Sequence, residues 1–240
     1  MIVIKSEAFI TEKGKSEINE DTLKCQSGIF YVVCDGVGGN GNGLLASQLL
    51  VESITNSLSH SKDLVIADAL KEAEKALEDY KRKNKSTYLM ASTLALTKIT
   101  DSSILIGWVG DSRIYQFRAG KIIYKTTDHS WISEAIKEGS ITALEGLFLP
   151  ERNRLTRSVK GSSQPTTVEE HILTNVEDND YFLICSDGIV ESWIDEDLEN
   201  LFSEDKPASY FIEMLHQNCK LFSNDNYTAV VYQIGKILNY

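Results

Sequence analysis

The pattern of apolar and polar residues is informative first at two runs that each end in an Asp-Gly pair. Residues 29–34 precede Asp35-Gly36, and residues 181–185, with Ser186 after them, precede Asp187-Gly188. Runs rich in β-branched and aromatic residues predict buried strands. A carboxylate at the end of such a strand is held by rigid backbone while its side chain leaves the core. The two runs therefore predict one acidic site assembled between two strands.

Helical spacing of apolar residues marks three further segments. Residues 44–58 and 63–83 carry apolar side chains three and four positions apart, which predicts two amphipathic helices that each face a core. A third helix is predicted just after Pro207, since proline is favoured at helix starts. The predicted core face of this third helix consists of Phe211, Leu215 and Phe222.

The hydrophobic period changes to that of strands in the middle of the chain. Within residues 91–124, apolar runs at 94–99, 104–109 and 114–117 are separated by short polar segments, and Ala119-Gly120 turns the chain into a further segment at 121–124. This pattern predicts an antiparallel meander. Residues 140–165 are irregular and polar, and we expect them to form a flap. Strands interrupted by helices predict an α+β fold in which helices cover packed antiparallel sheets. Further strands are predicted up to Ile10 and over residues 166–173, 180–185 and 227–234.

Length and composition predict a single domain that spans residues 1–240. The chain has 42% hydrophobic and 25% charged residues, values that are ordinary for a globular protein. Its net charge of −11 and pI near 4.9 argue against a nucleic-acid surface, because phosphate backbones are bound through lysine and arginine. No run approaches the roughly 20 apolar residues of a membrane span, and no secretory leader is recognised. The four cysteines lack metal-ligand spacing, so we expect reduced thiols in a cytoplasmic protein.

Acidic residues recur in four short polar segments, two of them directly after the predicted buried strands. The segments contain Glu20-Asp21, Asp35, Asp187 and Asp225. Carboxylate oxygens suit hard cations such as Mg²⁺ and Mn²⁺, and a pair of such ions supports phosphoryl chemistry. Any one Asp-Gly pair is more often only a turn, but four acidic segments together favour a divalent-cation site.

Seven motifs in order resemble those of the type-2C, metal-dependent Ser/Thr protein phosphatases, and the compact bacterial members most. They span nearly the whole chain. They are Asn19-Glu20-Asp21, Asp35-Gly36-Val37-Gly38-Gly39, Gly110-Asp111-Ser112-Arg113, Asp128-His129-Ser130, Leu155-Thr156-Arg157, Ser186-Asp187-Gly188 and Asp225-Asn226-Tyr227-Thr228. The resemblance implies a central antiparallel β-sandwich flanked by pairs of α-helices, in α-β-β-α layers, with metal ions in a cleft at one edge.

The resemblance also implies a role for each acidic residue. Asp35 and Asp187 are the expected catalytic residues, with Asp35 bridging two metal ions and the Gly36 carbonyl binding one of them. The implied cofactors are two or three Mn²⁺ or Mg²⁺ ions. The full set of implied metal ligands is Asp21, Asp35, Gly36, Asp111, Asp187 and Asp225. Glu20 is expected to act more weakly, through water or through hydrogen bonds to these ligands.

Two positions depart from the family pattern. Ser16 stands where the family usually has a phosphate-binding arginine, and Asn40 stands where bacterial relatives commonly have histidine. Lysine is a point charge that cannot replace the bidentate arginine fork, so we expect weaker phosphate binding. The remaining candidates for phosphate or substrate contact are Lys15, Asn40 and Arg157. His129 is expected to act as a structural hydrogen-bonding residue rather than as a general acid.

The leading functional hypothesis is metal-dependent hydrolysis of phosphoserine and phosphothreonine in proteins. The resemblance implies attack by a hydroxide held between the ions, without a phosphoenzyme. One alternative is a catalytically weak pseudophosphatase that binds phosphoproteins, and another is a two-metal hydrolase of small phosphoesters. The expected partner is a phosphoprotein in a Ser/Thr kinase signalling pathway, with no nucleic acid and no membrane. The protein is expected to be a monomer.

Overall fold

The computed structural model describes residues 1–38, 42–60, 65–85, 89–146, 149, 154–162 and 164–237. The strands are β1 (Ile2–Glu12), β2 (Thr22–Gln26), β3 (Phe30–Cys34), β4 (Gly36–Val37), β5 (Ala91–Ser92), β6 (Leu94–Ile99), β7 (Ile104–Val109), β8 (Arg113–Arg118), β9 (Lys121–Lys125), β10 (Glu169–Leu173), β11 (Tyr181–Cys185) and β12 (Tyr227–Ile237). The helices are α1 (Asn42–His60), α2 (Ile66–Lys83), α3 (Trp131–Lys137), α4 (Ala143–Gly146), α5 (Asp187–Val190), α6 (Asp195–Leu201) and α7 (Ala208–Phe222). Within these ranges no helix combines the length and apolarity needed to cross a membrane.

Two five-stranded sheets form the centre of the molecule. One has the strand order β1-β12-β11-β8-β9, the other β10-β7-β6-β3-β2, and every pair within them is antiparallel. A short pair, β4 and β5, extends from the end of β3. The predicted α+β class with packed antiparallel sheets is confirmed.

Alternating side chains of each central strand serve two different cores. In β3, Tyr31 and Val33 point between the sheets, where the Tyr31 ring stacks on Tyr232 with centroids 4.3 Å apart. Val32 and Cys34 point the other way, into the cluster formed with α1 and α2. Because both faces of the strand are covered, its run is apolar throughout instead of alternating with polar residues.

Helices cover the outer face of each sheet. Helices α1 and α2 pack through Leu50, Ile54 and Leu70 against the sheet that contains β3. Helices α5, α6 and α7 pack on the opposite sheet in a second cluster, which includes Phe202 and Phe211. The four layers therefore follow the order helix, sheet, sheet, helix, as the resemblance implied.

The predicted meander over 91–124 is wrong at one point. Strands β6 and β7 pair, but β7 and β8 lie in different sheets, so the chain crosses the sandwich at Gly110–Ser112. Gly110 adopts a φ of +99°, and a Cβ there would lie 2.7 Å from the Thr93 side chain, so the crossing requires glycine. The crossing places Asp111 at the edge where the two sheets meet.

The structure differs from two other expectations, one for the end of α7 and one for residues 140–165. Phe222 was expected on the core face of α7, but its side chain is 65% exposed at the end of the helix, whereas Phe211 and Leu215 are buried. Part of the expected flap at 140–165 is fastened to the sandwich, since Val159 is buried and forms an isolated antiparallel bridge with Ser92.

Candidate metal centre

Three carboxylates from separate motifs meet at one edge of the sandwich. Asp35 follows β3, Asp111 lies in the crossing between β7 and β8, and Asp187 begins α5, one residue after the end of β11. One oxygen atom from each carboxylate lies within 4.8 Å of the other two. Asp35 and Asp187 therefore lie in one acidic cluster, as their positions after two apolar runs predicted, and Asp111, which the resemblance implied, lies with them.

Glu20 and Asp21 lie against this cluster on the loop that enters β2. The Ser186 hydroxyl donates a 2.7 Å hydrogen bond to Asp21 Oδ2. The backbone N–H of Gly36 donates to the Glu20 carbonyl over 3.1 Å, which ties the start of β4 to the same loop. Asp21 is buried, with 5% of its surface exposed, so it lies behind the cleft surface, where it accepts the hydrogen bond from Ser186.

Three carboxylate oxygens near the cluster are buried without a hydrogen-bond partner. They are Glu20 Oε1, Asp21 Oδ1 and Asp187 Oδ1. A buried oxygen with no donor is costly, because the free energy of its lost hydration is not recovered. Divalent cations of the Mg²⁺ and Mn²⁺ type take oxygen ligands of this kind, so the residues present fit such ions.

Burial and mutual repulsion raise the pKa values of these acids. Burial, followed by repulsion from neighbouring carboxylates, raises the pKa of Asp35 and of Asp187 well above the usual range. Burial and then repulsion from Asp128 raise the pKa of Asp111 to about 6. Burial likewise raises the pKa of Asp21 to about 6. A bound cation would supply the missing countercharge and favour the ionised forms.

The backbone of Asp35 is fixed by hydrogen bonds from the strand segment beside it. Its N–H donates to Thr93 Oγ1 over 2.8 Å, and its carbonyl accepts from the Thr93 N–H and from Ser92 Oγ. Thr93 Oγ1 also shares a 2.7 Å hydrogen bond with Ser112 Oγ, next to Asp111. These contacts fix Asp35 and Asp111 relative to each other.

Asn226 links the N-terminal loop to the rest of the site, a role that sequence reasoning did not assign. Its side-chain amide donates to the carbonyls of Lys13 and Ile18, both over 2.9 Å. Its Oδ1 accepts the Glu20 N–H over 2.8 Å. All three partners are about two hundred residues away in sequence, so no local signal identifies this function. The motif Asp225-Asn226 was its one indication.

Close backbone contacts explain why glycine follows Asp187. A Cβ at Gly188 would lie 1.9 Å from the Asn226 carbonyl oxygen, so only glycine allows this approach. A Cβ at Gly36 would lie 2.2 Å from the Gly43 carbonyl oxygen, where the first turn of α1 meets the site. Both glycines permit the acidic residues beside them to converge.

The other predicted site residues lie at the periphery or outside the described residues. Asp225 is exposed and lines the cleft with Gly36. Lys15 Nζ donates to Asn224 Oδ1 over 2.9 Å. Arg157 Nη1 lies 3.4 Å from Glu169 Oε2, and Arg157 is absent from the described cleft lining. Asn40 lies outside the described residues. The assignment of Lys15, Asn40 and Arg157 to substrate contact stays a prediction.

His129 occupies the structural position expected of it. Its Nδ1 accepts the Gly110 N–H over 3.0 Å, so the neutral ring carries its proton on Nε2, which donates to Glu169 Oε2 over 2.7 Å. Its ring also lies parallel to Trp108. Burial lowers the pKa of His129, which favours the neutral ring. His129 therefore holds the Gly110 turn from which Asp111 projects.

A cleft of about 710 Å³ opens over the Asp35–Asp111–Asp187 cluster. Lys160 is the one lysine or arginine among the described residues that line it, and sequence reasoning did not single it out. The carboxylates of the described lining are Glu17, Glu20, Asp35, Asp111, Asp187 and Asp225. An acidic cleft of this kind attracts cations and repels an anionic substrate until cations are bound.

The fold and the acidic cleft together define a metal-dependent hydrolase centre, and comparison with known proteins identifies the family. The family model described as Protein phosphatase 2C matches residues 14–226. The chain therefore belongs to the protein phosphatase 2C family and is a metal-dependent protein phosphatase by class. The resemblance found in the sequence is confirmed.

Relatives and solved structures agree with this assignment. The chain is 24% identical over 243 residues to the serine/threonine phosphatase stp of Listeria welshimeri, with 94% of each protein covered. It is 22% identical to the crystal structure of the Mycobacterium tuberculosis serine/threonine phosphatase PstP/Ppp, with a TM-score of 0.87 and coverage of 98% and 100%. A structure of the PstP catalytic domain with two manganese ions gives a TM-score of 0.85 at 22% identity, with the same coverage. These structural likenesses establish the fold.

Proposed function

We propose that this cleft hydrolyses phosphoserine and phosphothreonine in proteins by direct attack of water, without a phosphoenzyme. The observation that carries the proposal is the convergence of Asp35, Asp111 and Asp187 within 4.8 Å at the floor of an open cleft. The family match supplies the reaction class, and the buried unpaired carboxylate oxygens support binding of divalent cations.

The proposed cofactors are two or three Mn²⁺ or Mg²⁺ ions. Asp35 would bind two of them, and the Gly36 carbonyl would bind one of these two. Asp187 and Asp225 would bind the other, and Asp111 would help to bind a third. Glu20 and Asp21 would support these ligands. Bound ions of this type lower the pKa of water and neutralise charge on phosphoryl oxygens.

The chain's own residues fix the backbone of the site, and they leave no reactive thiol at Cys34 or Cys185 to compete with water as the nucleophile. The Thr93 and Ser92 hydrogen bonds hold the Asp35 backbone in place, which limits reorganisation during reaction. The thiols of Cys34 and Cys185, which precede Asp35 and Ser186, are fully buried, and burial raises their pKa values. A buried neutral thiol is a poor nucleophile, which supports attack by water rather than through a cysteine intermediate.

The substrate class is tested by comparing phosphate release from several phosphoesters. With Mn²⁺ present, we expect phosphothreonine and phosphoserine peptides to be hydrolysed faster than free phosphothreonine or a nucleoside monophosphate. Asp187→Asn should abolish release, whereas Asp197→Asn, at an exposed position on α6, should not change it. Faster hydrolysis of the small esters would favour the small-phosphoester hydrolase. Metal binding without release from any ester would favour the pseudophosphatase.

We further propose a monomeric, single-domain protein that acts on a phosphoprotein in a Ser/Thr kinase signalling pathway in the cytoplasm. The four free cysteine thiols support a reducing compartment. The acidic composition supports a protein rather than nucleic-acid partner. Size-exclusion chromatography with light scattering tests the monomeric state, for which the sequence predicts 26.8 kDa.

A further inference from the structure

The acidic cleft contains one described lysine whose ammonium has no partner. Lys160 lines the same cleft as the carboxylates, and its side chain is exposed. Within the described parts of the chain, Lys160 Nζ makes no hydrogen bond or ion pair, even though six carboxylate-bearing residues share the cleft lining. Its charge is therefore available to a ligand.

The backbone before Lys160 is tied directly to the metal centre. Val159 and Ser92 exchange two backbone hydrogen bonds, of 2.8 and 2.9 Å. Ser92 Oγ in turn donates to the Asp35 carbonyl over 3.0 Å. Ser92 therefore hydrogen-bonds both to Val159, the residue before Lys160, and to Asp35 of the acidic cluster.

The strand register places Lys160 on the cleft side of this connection. Gly36 pairs with Ser92, and Ser92 pairs with Val159, so these three residues form one row across the strands. Lys160 follows Val159, in the direction of the next row, which contains Val37 and Ala91 and also lines the cleft. Neighbouring strands are about 4.8 Å apart, so Lys160 lies two strand spacings from the residues that follow Asp35.

Helix α2 fastens the chain on the other side of Lys160. Lys81 Nζ donates to the Lys160 carbonyl over 3.0 Å. Gly161 adopts a φ of +56°, and a Cβ there would lie 2.8 Å from the Glu78 nitrogen. The Thr166 N–H donates to the buried Glu74 carboxylate over 3.0 Å. The backbone is thus held on both sides, and only the lysine side chain is free to reach into the cleft.

We propose that Lys160 binds the phosphoryl group of the substrate in this cleft. A phosphorylated side chain carries a charge of about −1.5 to −2 near pH 7 and offers several strong acceptor oxygens. An ammonium group supplies three donors on a flexible stem, which suits a point contact with phosphate. Positive charge at this position also offsets the repulsion between the phosphate and the surrounding carboxylates. The proposal rests on the proposed phosphatase function for the identity of the ligand.

The test compares Lys160→Met, which removes the charge and keeps much of the stem, with Lys160→Arg, which keeps the charge. Lys75→Met is the matched control, because Lys75 is exposed on α2 and does not line the cleft. Isothermal titration calorimetry of the Mn²⁺-loaded proteins with inorganic phosphate gives the Kd without turnover. We expect Lys160→Met to raise this Kd about tenfold, since hydrogen bonds to charged groups have effects of that size. Lys160→Arg should restore most of the affinity, and Lys75→Met should match the parent.

Kinetics with p-nitrophenyl phosphate and a phosphothreonine peptide provide the second readout. Lys160→Met should raise KM for both substrates, because both contain the phosphoryl group, while Mn²⁺ affinity and melting temperature stay unchanged. An unchanged phosphate Kd in Lys160→Met would overturn the proposal. A KM that rises for the peptide alone would also overturn it, and would indicate that Lys160 contacts the peptide instead of the phosphoryl group. If the parent binds phosphate but releases none from either ester, the phosphatase function fails, and calorimetry still decides the role of Lys160. If the parent binds no phosphate, the role of Lys160 fails as well.

Discussion

Replacing Asp21 by asparagine should stabilise the metal-free protein, by an amount that grows with pH. Asp21 is buried, and burial raises its pKa from 3.8 to about 6. The unfolded chain exposes this carboxyl to water, so its pKa there stays near the ordinary value. A pKa difference of that size corresponds to about 3 kcal/mol between the two protonation states. The fold therefore carries this cost whenever Asp21 is ionised without a cation.

The sign of the pH dependence follows from which state holds more protons. Below about pH 4 both the folded and unfolded chains keep the Asp21 proton, and the cost is absent. Between about pH 4 and pH 6 the folded chain binds more protons than the unfolded chain, so the free energy of unfolding falls as pH rises. The asparagine side chain of the variant has no proton to lose, and its amide oxygen can still accept from Ser186. The variant should gain about 3 kcal/mol at pH 8 and about half of that at pH 5.

Urea and thermal unfolding in the presence of chelator measure this gain. In a protein of this size a change of 1 kcal/mol shifts Tm by about 2–4 °C, so Asp21→Asn should raise Tm by roughly 6–12 °C at pH 8. Asp197→Asn, an exposed substitution, should change stability by less than about 0.5 kcal/mol. Mn²⁺ should stabilise the parent more than Asp21→Asn, because the cation pairs with the ionised carboxylate. Equal stability of Asp21→Asn and parent at pH 8, or the same gain at pH 5 and pH 8, would refute this reasoning.

Two further pairs of substitutions test the close backbone contacts of the site and the buried ion pairs of the fold. Gly188→Ala should destabilise the protein by about 3 kcal/mol or more in urea, because its Cβ would lie 1.9 Å from a carbonyl oxygen. Gly28→Ala, with open space and a φ of +69°, should cost about 1 kcal/mol, and equal costs for the two would contradict the steric argument. Asp180→Ala should also cost about 3 kcal/mol, because this buried carboxylate accepts from Arg118 Nε over 2.8 Å and from Gln116 Nε2 over 2.7 Å. Glu199→Gln is the comparison, because it removes the carboxylate charge that pairs with the exposed Lys121, and it should cost less than about 1 kcal/mol. A similar loss of stability from Asp180→Ala and Glu199→Gln would argue against the importance of burial.

Local sequence patterns were sufficient to predict much of the fold and the positions of the main carboxylates. The apolar runs before Asp35 and Asp187 identified two central strands, because residues that fill both faces of a sandwich strand leave an uninterrupted apolar segment. The helical spacing at 44–58 and 63–83 likewise identified α1 and α2. These signals depend on neighbours in sequence, so they survive without knowledge of the tertiary structure.

Features set by distant contacts were not predictable in the same way. The turn at Gly110 has the same local composition whether the next strand pairs with β7 or crosses to the other sheet, so the expected pairing of β7 with β8 was wrong. Asn226 acts through carbonyls 213 and 208 residues away. Lys160 enters the cleft because Ser92 and α2 fix its backbone, and a single lysine in a polar segment gives no sign of this.

The most direct test of the account is metal-dependent phosphate release from a phosphothreonine peptide by the parent protein and by Asp35→Asn. The parent should release phosphate with Mn²⁺ or Mg²⁺ and lose this activity in chelator. Asp35→Asn should be inactive under all three conditions while remaining folded, as judged by circular dichroism. Release that persists in chelator, or that proceeds at the parental rate in Asp35→Asn, would contradict the claim that the acidic cluster is a metal-dependent phosphatase centre.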